Sequence, residues 1–380
     1  MERSFKSRLL ALFCIVALCA LACFAVAGCE NGQQPPAADQ NQSQPAERPE
    51  PAAVDPNATR IFTDSLGRQV EVPVNITKVA PSGHMATQVL LTFAPEKLVG
   101  ISAELDPAVV KYIGGDCANL PVFGAAFGAK GDLNKEAVAA SGAQILIDTG
   151  ERKEGIGEDL DALQEQLGIP CVFIETYLDG YGTGYRLLGD LLGMPERGEE
   201  LARYCENAYQ ETQTVMATIP ESERANIAFL LGDSGLNGIA KGSYQGQVVD
   251  MCANNVVVVD NPSGKGTGNE ISLEQISVWN PEIIVFQSGS IYDKVGSDPV
   301  WANIDAVKSG RVYEVPNEPY CWLNNPPSVN QIMGVQWLPR LLYPDKFSTS
   351  IEDVTRSYYK TFYGYDLSDA ELAELLAHAK

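Results

Sequence analysis

Two stretches of this chain follow one plan, 138 residues apart. LNKEAVAASGAQILI (Leu133–Ile147) and ISLEQISVWNPEIIV (Ile271–Val285) each set a glutamate into a helix-like run, break, and close on three aliphatic residues. The glutamates Glu136 and Glu274 keep the same offset as the triplets Ile145–Ile147 and Ile283–Val285. A helix leading into a short buried strand is the building unit of an α/β sheet. Writing it twice at this separation favours two similar lobes. Three of the four positions in 134–137 and 272–275 differ, so the likeness is one of structure and not a tandem duplication. Between the copies lies PERGEELARYCENAYQETQTVMAT, residues 195–218, where Leu201, Tyr204, Cys205, Ala208 and Tyr209 recur at helical spacing. Proline is acceptable in a first helical turn. At 1.5 Å per residue this helix spans roughly 35 Å, too long for a crossover inside one small lobe and suited to joining two.

The rest of the chain alternates short aliphatic runs with helical stretches. Strands are expected at Val70–Val72, Val79–Ala80, Leu98–Ile101, Ile145–Asp148, Val172–Glu175, Ile227–Leu231, Val256–Val259, Ile283–Gln287 and Val312–Val315. Helices are expected at His84–Phe93, Asn134–Ala140, Glu158–Leu167 and Gln245–Ala253. The fold class is α/β: two Rossmann-like lobes with largely parallel sheets, joined by a single long interlobe helix. The lobes are expected at residues 60–194 and 219–380, with the joining helix at 195–218.

The first 59 residues read differently. Arg3, Lys6 and Arg8 precede an apolar run from Leu9 to Ala27, the pattern of a secretory signal spanning residues 1–28. Its end, Val26-Ala27-Gly28-Cys29, resembles a bacterial lipobox, in which the Cys29 thiol receives diacylglycerol. Residues 29–59 are rich in Gln, Pro and Ala and nearly free of large apolar side chains. Such a segment cannot bury enough surface to order itself, and it suits a tether between a lipid anchor and a folded body. The expected location is extracytoplasmic, on the cell membrane.

The formal net charge is −22; residues 1–28 carry +2, leaving −24 on the remainder. That excess argues against nucleic acid as a partner. Of nine cysteines, Cys14, Cys19 and Cys23 fall in the signal and Cys29 at the lipid site. The remaining Cys117, Cys171, Cys205, Cys252 and Cys321 are widely spaced and contain no CxxC pair, which speaks against a zinc site. Five is odd, so at least one stays unpaired, and buried small apolar residues are the simplest reading of most. With only His84 and His378, a multi-histidine site for a naked metal ion is excluded as well.

FTDSLGRQVEVPVNITKVAPSG (Phe62–Gly83), the two paired segments, and WANIDAVKSGRVYEVPNEPY (Trp301–Tyr320) together resemble the substrate-binding proteins of ABC importers for iron–siderophores, haem and cobalamin. The resemblance covers about residues 60–345, and it gains specificity from the lipobox and tether. It implies a bilobed fold with a rigid interlobe helix and limited closure, no enzymatic activity and no resident cofactor. It further implies that Glu136 and Glu274 project from the lobe tops and dock on an ABC permease, which works with its ATPase. Paired charges of this kind set register more than affinity. Read without the resemblance, each is an ordinary first-turn glutamate favoured by the helix dipole.

A cleft between such lobes is lined by loops at strand ends. Candidates there are Ser82, His84, Met85, Phe127, Arg152, Lys153, Tyr181, Asn237, Lys241, Tyr244, Ser288, Tyr320 and Trp322. His84 either coordinates a metal complex, hydrogen-bonds an oxyanion at a helix start, or simply opens a helix. Arg152, Lys153, Lys241 and Lys265 are cations that would counter an anionic ligand or stand solvated. Tyr181, Tyr185, Tyr244, Tyr320 and Trp322 would pack on a chelate or macrocycle, or fill the core. The ligand expected is a metal chelate (ferric siderophore, haem or corrinoid), with molybdate or tungstate as the alternative.

Two rival classes are a surface lipoprotein hydrolase and a ligand sensor without a permease. LGDSG (Leu231–Gly235) resembles the start of an esterase motif, but Leu375 and Pro81 stand where an aspartate would precede His378 and His84 by three, so no triad forms. In SGKGTG (Ser263–Gly268) the lysine is followed by glycine, which breaks a phosphate-loop pattern.

Overall fold

The computed structural model describes Asp55, residues 57–127 and residues 131–380. The expected signal, Cys29 and the tether up to residue 54 lie outside the described residues.

A hairpin opens the body. β1 (Thr59–Thr63) pairs antiparallel with β2 (Gln69–Pro73), and alternate residues Phe62, Val70 and Val72 turn inward. The first lobe is then built on three parallel strands in the order β3 (Val79–Pro81), β4 (Ile145–Gly150), β5 (Cys171–Glu175). Their helices are α1 (His84–Phe93), α2 (Pro107–Ile113), α3 (Lys135–Ala140) and α4 (Ile156–Leu167). Every residue of β4 is buried, as expected of a central parallel strand.

Next come α5 (Tyr181–Leu192) and the 23-residue α6 (Pro195–Ala217). No helix is expected from the sequence at α5, whose glycines weaken helix propensity. Here the glycines serve packing: a Cβ on Gly198 of α6 would lie 2.7 Å from the Tyr185 carbonyl and 3.0 Å from Gly189 of α5. Bare backbones let the two helices touch.

The second lobe has a sheet in the order β11-β10-β6-β7-β9, with β8 also paired to β6. Its strands are β6 (Asn226–Leu231), β7 (Asn237–Gly238), β8 (Asn254–Asn255), β9 (Asn269–Glu270), β10 (Ile283–Phe286) and β11 (Val312–Glu314). β6, β10 and β11 are parallel, whereas β7 and β9 run antiparallel at the edge. The helices are α7 (Gln247–Cys252), α8 (Leu273–Trp279), α9 (Tyr292–Val295) and α10 (Asp305–Lys308). The chain ends in α11 (Gln331–Leu342), α12 (Ile351–Tyr363) and α13 (Asp369–Leu375).

Two expected strands are corrected. Val256–Val259 leaves the sheet because the Val258 amide turns back onto the Val256 carbonyl at 2.9 Å, a three-residue turn that ends pairing. Leu98–Ile101 is reduced to isolated bridges from Leu98 to Val79 and from Ile101 to Val122. The expected helix at Gln245–Ala253 begins as a tight turn at Tyr244–Gly246 and is α-helical only over α7.

One apolar core is continuous between the halves. It joins Val79, Leu90 and Ile147 to α5 and α6, and onward to Ile227, Val285, Trp337 and Tyr359. α11 is buried along nearly its whole length, packed on α6, α7 and α12. Arg197 of α6 donates to the carbonyl of Thr92 at 2.8 Å, tying α6 to the first lobe. Thr212 donates to the Val335 carbonyl at 2.8 Å, tying it to α11. Further bonds cross directly between the halves, among them Tyr244 to the Thr176 carbonyl (3.0 Å), the Leu178 amide to Gln247 (3.2 Å), Tyr112 to Glu318 (2.8 Å) and Ser328 to the Met85 carbonyl (3.3 Å). A core shared this widely resists a wide hinge opening.

Candidate functional site

A cleft of ≈ 480 Å³ lies between the lobes. One wall is a face of α1. His84, Thr87 and Gln88 stand at i, i+3 and i+4, so all three turn the same way. The wall continues through Ser102–Asp106 and the start of α2. The opposite wall is Gln287, just past β10, with the irregular stretch Asn317–Cys321 and the pair Asn325-Pro326.

His84 is held in place. Ser102 Oγ lies 3.0 Å from His84 Nδ1 and 3.0 Å from Thr87 Oγ1, which also accepts from the Ser102 amide at 3.2 Å and bonds the Gly83 carbonyl at 2.9 Å. With Nδ1 engaged, Nε2 is the ring nitrogen that remains for a ligand. Asp106 caps α2 by accepting from the Ala108 amide at 2.8 Å. Glu318 is fixed from three sides. Tyr112 donates to its Oε2 at 2.8 Å, Lys111 Nζ stands 3.9 Å away, and Tyr359 donates to its backbone carbonyl. Burial, then the bond to Glu318, raises the Tyr112 hydroxyl pKa, so it stays a donor. Burial likewise raises that of Tyr320, a lining residue. Among the described residues the walls carry the carboxylates Glu104, Asp106 and Glu318 and neither lysine nor arginine. Among the described residues no group of three or more His, Cys, Asp or Glu side chains is placed to hold a metal ion.

Of the residues singled out from sequence, the cleft brings together His84 and Tyr320. The others stand elsewhere. Ser82 is buried and bonds Asp148. The Met85 side chain packs against Gly150, and its carbonyl accepts from Ser328 at 3.3 Å. Phe127 packs on the first-lobe cluster of Phe123 and Phe173. Arg152 bonds the Ser65 carbonyl and Glu175, and Lys153 is exposed. Tyr181, Tyr185 and Trp322 are core residues, Trp322 edge-on to Trp337 at 6.2 Å. Tyr244 bridges the lobes, as described above. Asn237 pairs with Glu270 in the sheet, and Lys241 reaches Asn254 at 3.4 Å. Lys265 is exposed. Ser288 lines a smaller cavity of ≈ 200 Å³ beside Glu314 and His378. Thr87, Gln88, Ser102, Glu104, Asp106 and Gln287 went unread. A polar i, i+3, i+4 face on the otherwise apolar helix HMATQVLLTF was the available sign for the first two.

The pattern of the periplasmic binding protein family matches residues 127–319, half of the chain. The chain belongs to that family. This binding protein is 23% identical over 335 residues to the molybdate-binding protein MolA of Haemophilus influenzae, across 80% of the chain and 91% of MolA. It is 22% identical over 328 residues to the Fe(3+)-citrate-binding protein YfmC of Bacillus subtilis, across 82% and 90% respectively. Among solved structures, an ABC transporter solute binding protein from Sulfurospirillum deleyianum superposes with a TM-score of 0.77 at 26% identity, over 84% of this chain and 99% of that one. Molybdate-bound MolA superposes with a TM-score of 0.66 at 21% identity, over 81% and 99%. These relatives are binding proteins and not enzymes. Both histidines have a partner at Nδ1, Ser102 for His84 at 3.0 Å and Glu314 for His378 at 3.1 Å. The binding protein is thus an extracytoplasmic solute-binding component of an ABC importer.

Proposed function

We propose that the binding protein captures a metal chelate of neutral or positive net charge in the interlobe cleft and hands it to its permease while anchored through lipid on Cys29. The observation that carries this reading is the cleft wall: a fixed imidazole with Nε2 available, three carboxylates and, among the described residues, no lining lysine or arginine. A doubly charged oxyanion there would meet Glu104 and Asp106 as like charges, while Glu318 is partly offset by Lys111 Nζ at 3.9 Å. A metal that brings most of its own ligands needs only one or two protein donors, and imidazole suits iron, cobalt and nickel. Glu136 and Glu274 stand exposed in the first turns of α3 and α8 and supply the docking charges. The backbone amide of Glu274 and the Ser272 hydroxyl hold the Glu274 carboxyl below its usual range, so it stays ionised.

Molybdate is the second reading, favoured by the similarity to MolA over most of both chains. Titration calorimetry with cyanocobalamin, ferrioxamine B, haem, ferric citrate, molybdate and tungstate separates the two. Saturable binding of a chelate, weakened about tenfold or more by His84→Ala, is the expected result. Tight binding of molybdate with no response to any chelate would sink the chelate reading.

A further inference from the structure

We propose that Gln88 selects the ligand, favouring one that presents a carboxamide over one that presents only oxyanion oxygens. This rests on the chelate reading of the cleft and names the group on the chelate that is recognised. Gln88 stands one turn after His84 on the face of α1 that borders the cleft, and it is 2% exposed. Its polar neighbours on that face are satisfied, His84 by Ser102 and Thr87 by Gly83 and Ser102. Gln88 is not: among the described residues neither its Oε1 nor its Nε2 has a hydrogen-bond partner.

A buried amide without partners is costly, and an apolar side chain of the same shape is neutral or better in such a place. If Gln88 only filled space between Val89, Leu90 and the cleft floor, methionine or leucine would serve. Its partner therefore arrives with the ligand. Both amide atoms are covered in this form, so the ligand meets them after a change of the Gln88 rotamer, one of several staggered states open to that side chain.

The amide then dictates what fits. It offers two N–H donors and a carbonyl acceptor side by side. Its complement carries an acceptor next to a donor, which is the layout of a primary carboxamide; a trans secondary amide points its N–H and C=O in opposite directions and can meet only one of the two Gln88 atoms. An oxyanion supplies acceptors only, so it would leave Oε1 facing lone pairs, in a cleft already lined by Glu104 and Glu318. A site whose buried polar groups go unpaired with the wrong ligand discriminates strongly. Corrinoids carry primary carboxamides on their rim and match the whole layout, whereas linear hydroxamate siderophores carry secondary amides in their backbone and match half of it, so two sources share this chemistry to different degrees.

The test uses the full chain in detergent, wild type and Gln88→Met, titrated with cyanocobalamin, ferrioxamine B, ferric citrate and molybdate, alongside thermal unfolding of the ligand-free proteins. Cyanocobalamin or ferrioxamine B is expected to bind wild type at least about tenfold more tightly than ferric citrate or molybdate, the stronger of the two naming the source. Gln88→Met should shrink that preference to within about threefold while the ligand-free Tm holds or rises. An undiminished preference, or a Tm several degrees lower, would show that Gln88 is structural. Ferric citrate, an anionic complex, as the tightest ligand overturns the carboxamide inference and the neutral-or-positive charge assigned to the chelate, and leaves standing only that a metal chelate is bound. Molybdate as the only ligand, or no binding of any of the four, overturns both.

Discussion

The two lobes share a plan but finish their central strands differently. The offset that aligns Glu136 with Glu274 also aligns Asp148 at the end of the β4 aliphatic run with Phe286 at the end of β10. Both positions are buried. Phe286 stacks edge-on against Trp301 at 5.5 Å and closes an apolar cluster with Ile304 and Val295. Asp148 instead accepts from Ser82, two residues before His84. In one lobe the strand end is an apolar plug. In the other it is a polar anchor that ties down the turn leading to the cleft histidine. The first lobe thus accepts the cost of a buried carboxyl where it positions a binding residue, and the second lobe, with no such task there, does not.

The largest effect should come from emptying the apolar plug. Phe286→Ala is expected to lower unfolding free energy by about 3–5 kcal/mol, independent of pH, measured by urea denaturation. A loss below about 1 kcal/mol would mean that the second-lobe plug is not the packed element described.

Asp148 should behave in the opposite way. Burial raises its pKa from 3.8 to about 6, against the opposing bond from Ser82. The folded state therefore binds the proton more tightly than the unfolded chain. The penalty is absent below about pH 4, grows between about pH 4 and 6, and is complete at pH 7. Asp148→Asn, which keeps a partner for Ser82, should raise stability at pH 7 by about 2 kcal/mol and change little at pH 4. Equal effects at both pH values would refute the buried-charge account.

The helix starts differ less. α8 begins with a reciprocal capping box, in which Ser272 accepts from the Gln275 amide and Gln275 accepts from the Ser272 amide at 2.9 Å. α3 has only Asn134, accepting from the Ala137 amide at 2.9 Å. Ser272→Ala and Asn134→Ala should each cost about 1 kcal/mol, the former somewhat more, in matched thermal melts. A larger loss at Asn134 reverses that order.

Smallest for the fold, and largest for transport, is the exposed pair. Glu136→Ala with Glu274→Ala should leave Tm and ligand affinity unchanged while abolishing stimulation of the importer's ATPase in proteoliposomes. Stimulation that survives the double substitution removes the docking assignment.

The doubled segment was readable because burial fixes it locally: a run of three aliphatic residues after an amphipathic helix has few places to go. β4, β10 and α6 stand close to where the spacing put them. Helices α5 and α11 were not readable, for opposite reasons. α5 is rich in glycine that only contact with α6 explains, and α11 is buried on so many sides that it shows no polar face to mark a period. The site divides in the same way. His84 stood out as one of two histidines, and the cleft does hold it. The aromatic candidates failed to separate, because Tyr181 and Trp322 in the core and Tyr320 at the wall are the same kind of residue in sequence. The candidate cations Arg152, Lys153 and Lys241 are turned to surface partners or solvent.

By itself the sequence determined the main local units and their order: the buried central strands of each lobe, where the long helix lies, and that the plan occurs twice. These follow from nearest-neighbour geometry and burial. What only the tertiary structure decided is which side chains face each other across the cleft. Gln88 and Glu318 are separated by most of the chain, and their meeting depends on how α6 and α11 set one lobe against the other. The same packing brought the carboxylates Glu104, Asp106 and Glu318 to one cleft, with no lysine or arginine lining it among the described residues.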